Sequence, residues 1–172
     1  MKRPMPSDGR HSRVRSGLGL LGLVLACSVT AGDWPLFRGD AGLTGVASDT
    51  LPEKLEPLWV FEAGDGFASA VAVSDGAVYA ASLDGTLYVL DLDSGELRWK
   101  YEAGAAIKAS PAVSDGLVFF GDEDGTFHAV DLDTQQLKWS FEAEGQVKLG
   151  GGPAVRGDVV EYPIAFTSLR EK

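Results

Sequence analysis

From residue 69 onward, apolar and polar side chains alternate with a period of two. SAVAV (69–73), AVYAAS (77–82), TLYVLDL (86–92) and ELRWKYEA (96–103) each read as a strand of five to eight residues. Between them stand SDG, LDG and DSG. Asp-Gly and Ser-Gly supply the positive φ that a tight hairpin needs. Long runs with helical spacing are almost absent, and glycine is abundant at 22 residues. The pattern predicts an all-β chain of short strands joined by tight turns.

The same pattern is written twice. Trp59, Trp99 and Trp139 are forty residues apart, and residues 60–99 align with 100–139 without a gap, 17 of 40 positions being identical. EAG recurs at 62 and 102, AVSDG at 72 and 112, DGT at 84 and 124, and DLD at 91 and 131. Four sequential antiparallel strands per forty residues match one blade of a β-propeller. One such sheet cannot bury both its faces, so units of this kind stack in arrays. Val71, Val73, Val78, Leu87 and Val89, with their partners forty residues on, are expected to form the apolar layer between neighbours.

VLDLDSGELRW (89–99) and AVDLDTQQLKW (129–139) resemble the tryptophan-docking motif of the pyrroloquinoline-quinone-type (PQQ-like) propellers, A-x-D-x-x-T-G-K-x-x-W. The resemblance implies that Trp59, Trp99 and Trp139 pack against the following blade. It implies also that Asp91, Gly95 and Asp131 belong to the strand-end and turn geometry beside it. The second copy departs from the motif, with Gln135 and Gln136 in place of Gly and Lys, which puts its tight turn in question but not its strand. DWPLFRG (33–39) is similar to the opening segment of secreted bacterial propellers of the BamB type. Residues 57–64 then read as the outer strand of a preceding blade, followed by units at 65–102 and 105–142. A partial unit at 146–160 is suggested by GGPAVRGDVV, which matches SPAVSDGLVF (110–119) after an insertion of two residues. Propellers close with about four to eight blades, so the expectation is an incomplete propeller. Residues 161–172 carry neither a DGT turn nor a docking motif.

The first 31 residues stand apart from this. Lys2, Arg3, Arg10, Arg13 and Arg15 precede the apolar run GLGLLGLVLA (17–26), which is too short to span a bilayer comfortably. Small residues follow, so residues 1–31 read as a signal peptide cleaved after Ala31, with 32–56 leading into the repeats. VLAC (24–27) resembles a lipobox, and lipidation at Cys27 is the rival processing route. Either way the chain is expected to leave the cytoplasm, and to meet a membrane only if Cys27 is lipidated.

Charge and residue inventory narrow the chemistry. Without its leader the chain keeps 10 Lys or Arg against 24 Asp or Glu, a net charge of −14. A phosphate-binding surface needs the opposite sign, which disfavours nucleic acid. Cys27 is the single cysteine, so the mature fold has no internal disulfide. His11 leaves with the leader, and His128 takes the place that Tyr88 holds in the previous unit, which marks it as structural. DLDSGE (91–96) and DEDG (122–125) lack the spacing and the later bidentate glutamate of a calcium loop.

The best-known PQQ-like proteins are quinone-dependent alcohol dehydrogenases. The resemblance implies for those a calcium ion held by Glu, Asn and Asp, and in many an adjacent cysteine pair. This chain has no Asn and no cysteine pair. No catalytic, cofactor-binding or metal residue is therefore expected. The expected function is a non-catalytic scaffold that meets other proteins through blade edges or loops, with self-association a further expectation. Two alternatives stay open, a fragment of a quinoprotein dehydrogenase and a truncated gene product without a role of its own.

Overall fold

Two-residue turns set the architecture. Asp75 and Gly76 have φ of 50° and 67°, and Asp115 and Gly116 have 50° and 74°. Two consecutive positive φ values make a type I′ turn, whose twist matches that of the strands on either side. The computed structural model describes residues 32–47, 50, 53–143, 152–156 and 159–161. The expected signal peptide with Cys27 and the tail beyond Glu161 lie outside the described residues.

The first unit is an antiparallel sheet of β1 (Ala72–Ser74), β2 (Ala77–Ala81), β3 (Thr86–Asp91) and β4 (Leu97–Glu102), in that order. The second repeats it as β5 (Ala112–Ser114), β6 (Leu117–Gly121), β7 (Thr126–Asp131) and β8 (Leu137–Glu142). A hairpin of β9 (Ala154–Arg156) and β10 (Val159–Glu161) follows, in the place where a third unit would begin. The innermost strands β1, β5 and β9 stand in a row, β5 beside both of the others. This is the all-β, blade-by-blade arrangement that the repeats predict. Residues 57–64, expected as an outer strand, make no ladder with any described strand. They do alternate, with Trp59 and Phe61 half-buried and Leu58 and Val60 exposed.

Cross-strand pairing decides which side chains share a face. Ala72 faces Tyr79, Tyr79 faces Val89 and Val89 faces Trp99, while Ala81 faces Leu87 and Leu87 faces Tyr101. This face of the first blade packs with Ile107 and with Val113, Val118, Phe120 and Val130 of the second, forming the larger core. The far face of the second blade, with Ala112, Phe119, Phe127 and Ala129, closes on Leu36 and Val155. The single apolar layer expected from the sequence therefore divides. Val73 and Val78 point to one face, Leu87 and Val89 to the other, and Val71 is 39% exposed. A period of two identifies the alternation but cannot say which phase faces which neighbour.

Each blade has a bulge at the same place, between Val89 and Leu90 and between Ala129 and Val130. It sets Arg98 and Lys138 out of register, next to the turn that precedes each outer strand.

Leu87 is fully buried between the two blades. Leu87→Ala is expected to cost about 2–5 kcal/mol, as large-to-small changes do in cores that cannot collapse. Denaturant melts followed by tryptophan fluorescence would measure it.

Candidate functional site

The β3–β4 turn is organised by one carboxylate. Asp91 Oδ1 accepts from the Asp93 and Ser94 amides at 3.1 and 2.9 Å and from Ser94 Oγ at 3.0 Å. Its Oδ2 accepts from Arg98 Nη2 at 2.8 Å, and the same guanidinium nitrogen donates to the Gly76 carbonyl at 2.7 Å. A short aspartate side chain that caps its own turn is a common local solution. The Arg98 guanidinium, helped by the Ser94 donors, holds the Asp91 carboxyl far below the ordinary carboxylate range.

The turn receives the tryptophan of the segment before it. Trp59 Nε1 donates to the Leu92 carbonyl at 2.8 Å. Gly95 lies beneath the indole with φ of 72°, and a methyl there would sit 2.6 Å from Trp59 Cγ. Glycine is needed twice at this position, for the left-handed backbone and for the approach of the ring. Phe61, two residues on, packs against Tyr88 with centroids 5.1 Å apart.

The second turn keeps the scaffold and changes the contact. Asp131 Oδ1 accepts from the Asp133 and Thr134 amides at 3.2 and 2.9 Å, and Oδ2 accepts from Lys138 at 3.2 Å. The Thr134 amide and the Lys138 ammonium draw the Asp131 carboxyl below its usual range. Gln135 takes the glycine conformation with φ of 60°, and its amide still donates to the Asp131 carbonyl at 2.8 Å. The tight turn that the Gln135 departure put in question is therefore formed. What is lost is the docking bond, since Trp99 donates to no Leu132 carbonyl although both residues pack on the inter-blade core. Trp139 has no following turn among the described residues and packs within its own blade, 5.7 Å from Phe127 and 6.1 Å from Phe119. The structure thus brings Trp59, Asp91 and Gly95 together as one site, gives Asp131 the same turn, and places Trp99 on the inter-blade core and Trp139 within its own blade.

His128 belongs to a second arrangement, largely hidden from the sequence. Its Nε2 lies 2.9 Å from Asp122 Oδ2, with side-chain exposures of 6% and 3%. Nδ1 faces the Tyr101 hydroxyl of the first blade at 3.5 Å, and Phe120 stacks on the imidazole at 5.0 Å. In the first blade Tyr88 donates instead to Asp84 Oδ2 at 2.7 Å. Asp122 stands where the first unit has Ser82, and Asp124 keeps the place of Asp84, so a second carboxylate is added two residues earlier in step with the change from Tyr to His. That paired exchange was the available signal. Both networks hold turns and the contact between blades.

Among the described residues no three His, Cys, Asp or Glu side chains lie close enough together to hold a metal ion. A cleft of about 160 Å³ lies along Gly32, Trp34, Gly39 and Val46, smaller than the roughly 300 Å³ at which small-molecule pockets begin.

Gly95→Ala is expected to cost about 1–3 kcal/mol through backbone strain and displacement of Trp59. Gln135→Gly is expected to gain about 1 kcal/mol by relieving a left-handed non-glycine residue. Thermal melts of the two variants should move in opposite directions. Asp91 and Asp131 titrate lower in the folded chain than in the unfolded one. Their stabilisation is present above the unfolded value of about 4 and is lost as pH falls below it. Both groups face solvent, so the effect is small. Urea midpoints between pH 7 and pH 2 should fall less steeply for Asp91→Asn than for the parent.

Residues 52–163 match the family model described as outer membrane protein assembly factor BamB, a PQQ-type repeat family. No curated protein gives a match. Among solved structures, BamB from Moraxella catarrhalis is 26% identical with a TM-score of 0.55, over 62% of this chain and 33% of that one. The quinohemoprotein alcohol dehydrogenase of Comamonas testosteroni is 22% identical with a TM-score of 0.63, over 74% and 22%. A europium-containing methanol dehydrogenase is 20% identical with a TM-score of 0.68, over 80% and 28%. The dehydrogenase likenesses show the fold alone, and the chain spans about a third of the BamB structure or less of the others. With blades, docking turns and a matching model across more than half its length, the chain belongs to the PQQ-like β-propeller repeat family of the BamB type.

Proposed function

We propose that the chain is an exported, non-catalytic propeller-repeat protein that serves as a scaffold for other proteins. The outward face of β8 carries this reading. Trp139 and Phe141 are 42% and 59% exposed, whereas Trp99 and Tyr101, forty residues earlier, pack on the inter-blade core. The side chains that join blade to blade inside the chain are here presented outward. Apolar patches of that kind are used for binding other proteins, including second copies. Membership in a family described by an outer membrane protein assembly factor supports the same reading. So does the leader, which supports export whether the chain is cleaved after Ala31 or lipidated at Cys27.

The quinone cofactor of the dehydrogenase neighbours does not fit the residues present. The chain has no Asn, and the amides of Val73 and Val113 on the innermost strands are engaged by the chain's own Trp34 and Pro35. The polar side chains Asp91, Asp122, His128 and Asp131 are committed to turns and blade contacts.

Sedimentation velocity is expected to give species heavier than a monomer, in proportions that rise with concentration. Replacing Trp139 and Phe141 together by serine should return the chain to a monomer. A parent chain that stays monomeric at every concentration would count against the exposed face as a binding surface. Titration with the quinone and calcium is expected to leave its absorbance unchanged, and saturable binding would overturn the non-catalytic reading.

A further inference from the structure

Residues 33–37, DWPLF, have no part in tryptophan docking, yet they span the inner edges of the blades. Trp34 bridges Val73, donating to its carbonyl at 2.7 Å and accepting from its amide at 2.8 Å. One residue later the chain reaches the next blade, where the Pro35 carbonyl accepts from the Val113 amide at 2.7 Å. Val73 and Val113 are the central residues of β1 and β5, forty positions apart. Leu36 is then 5% exposed in the cluster of Ala112, Phe119, Phe127, Ala129 and Val155. At the start of the segment Asp33 Oδ1 accepts from the Asp75 amide at 3.2 Å. At its end Gly39, with φ of 87°, turns the chain beneath the Trp34 ring, where a methyl would sit 2.8 Å from the indole.

The chemistry of each residue suits its place. β1 and β5 are innermost strands, so each has one edge without a sheet partner, and unpaired edge groups are costly or sticky. Two adjacent edges on separate sheets cannot be served by an ordinary strand, because the path must step from one sheet to the other. Proline stands at that step, and having no N–H it brings no donor that would need an acceptor between the sheets. Tryptophan before it and leucine after it supply the apolar grip.

We propose that residues 33–37 are a detachable strap, held at a recognition site formed by the β1 and β5 edges and the Leu36 socket. The site takes an extended Trp-Pro-aliphatic segment. The strap is joined to its site by a handful of backbone bonds and one buried leucine, and residues 41–47 beyond it are exposed. Elements with so little burial open at lower free energy than the strands they cover. The strap therefore opens as a unit while both blades stay folded, and the same segment of another chain can take its place. This inference does not depend on the scaffold reading or on the β8 face.

Hydrogen exchange on the full chain tests it. The Val73 and Val113 amides are expected to exchange at a common rate, faster than the amides of β2 and β3. Leu36→Asp should speed both by on the order of tenfold or more and leave β2 and β3 unchanged. A synthetic peptide of residues 32–46, in excess, should restore slow exchange at both amides in that variant, and the peptide carrying the same substitution should not. Trp34→Ala is the second variant if aspartate at position 36 prevents folding. Exchange of Val73 and Val113 at unrelated rates, or only at the rate of the β2 and β3 amides, would overturn the strap. So would a peptide that leaves exchange unchanged.

Discussion

The contact between the two blades, Leu87 and Val89 on one side and Val118, Phe120 and Val130 on the other, is what the rest of the structure depends on. A four-stranded sheet forty residues long has two apolar faces and no means of covering either by itself. Every other feature serves this packing. The type I′ turns fix the register so that alternate residues face the neighbour, and a slip of one residue would turn the whole set to the wrong side. The bulges place Arg98 and Lys138 beside Asp91 and Asp131, which steadies the turn that meets the preceding outer segment.

The two units show how a repeat diverges without losing its geometry. At the turn, glycine gives way to Gln135, and the backbone keeps its left-handed conformation while the tryptophan gives up its hydrogen bond. The Asp131 cap, its backbone bonds and Lys138 hold the loop regardless of what stands at the strained position. Inside the blade, Tyr88 with Asp84 becomes His128 with Asp122. The shorter imidazole needs its carboxylate elsewhere, and Asp122, in the place of Ser82, supplies it. Buried polar groups that must be satisfied change in pairs, because one partner left alone costs more than the pair contributes.

The outer end of the array differs from its interior. Within the chain, an aromatic pair on each outer segment faces the next blade, Trp59 with Phe61 and Trp99 with Tyr101. At β8 the pair Trp139 and Phe141 is exposed, though partly supported by Phe119 and Phe127 of its own sheet. The opposite treatment is given to the inner edges, where Trp34 and Pro35 engage the central residues of β1 and β5. The molecule thus covers its polar edges near the axis and presents apolar side chains at its last outer strand.

The sequence by itself determined the strands of the two repeats, their forty-residue period, the turn residues and the family. Those depend on local properties, alternation of side chains and the backbone freedom of Asp-Gly and Ser-Gly, which nearest neighbours in the chain set. It also marked Trp59, Asp91 and Gly95, whose spacing is a property of one turn and one repeat length. Only the tertiary structure decided which phase of each strand meets which blade, so Val73 and Val78 part company with Leu87 and Val89. It alone set Asp122 against His128 and Tyr101, and laid DWPLF across two inner strands. These are contacts between residues distant along the chain or between separate sheets, and their partners are fixed by how the blades stack, which no local pattern encodes.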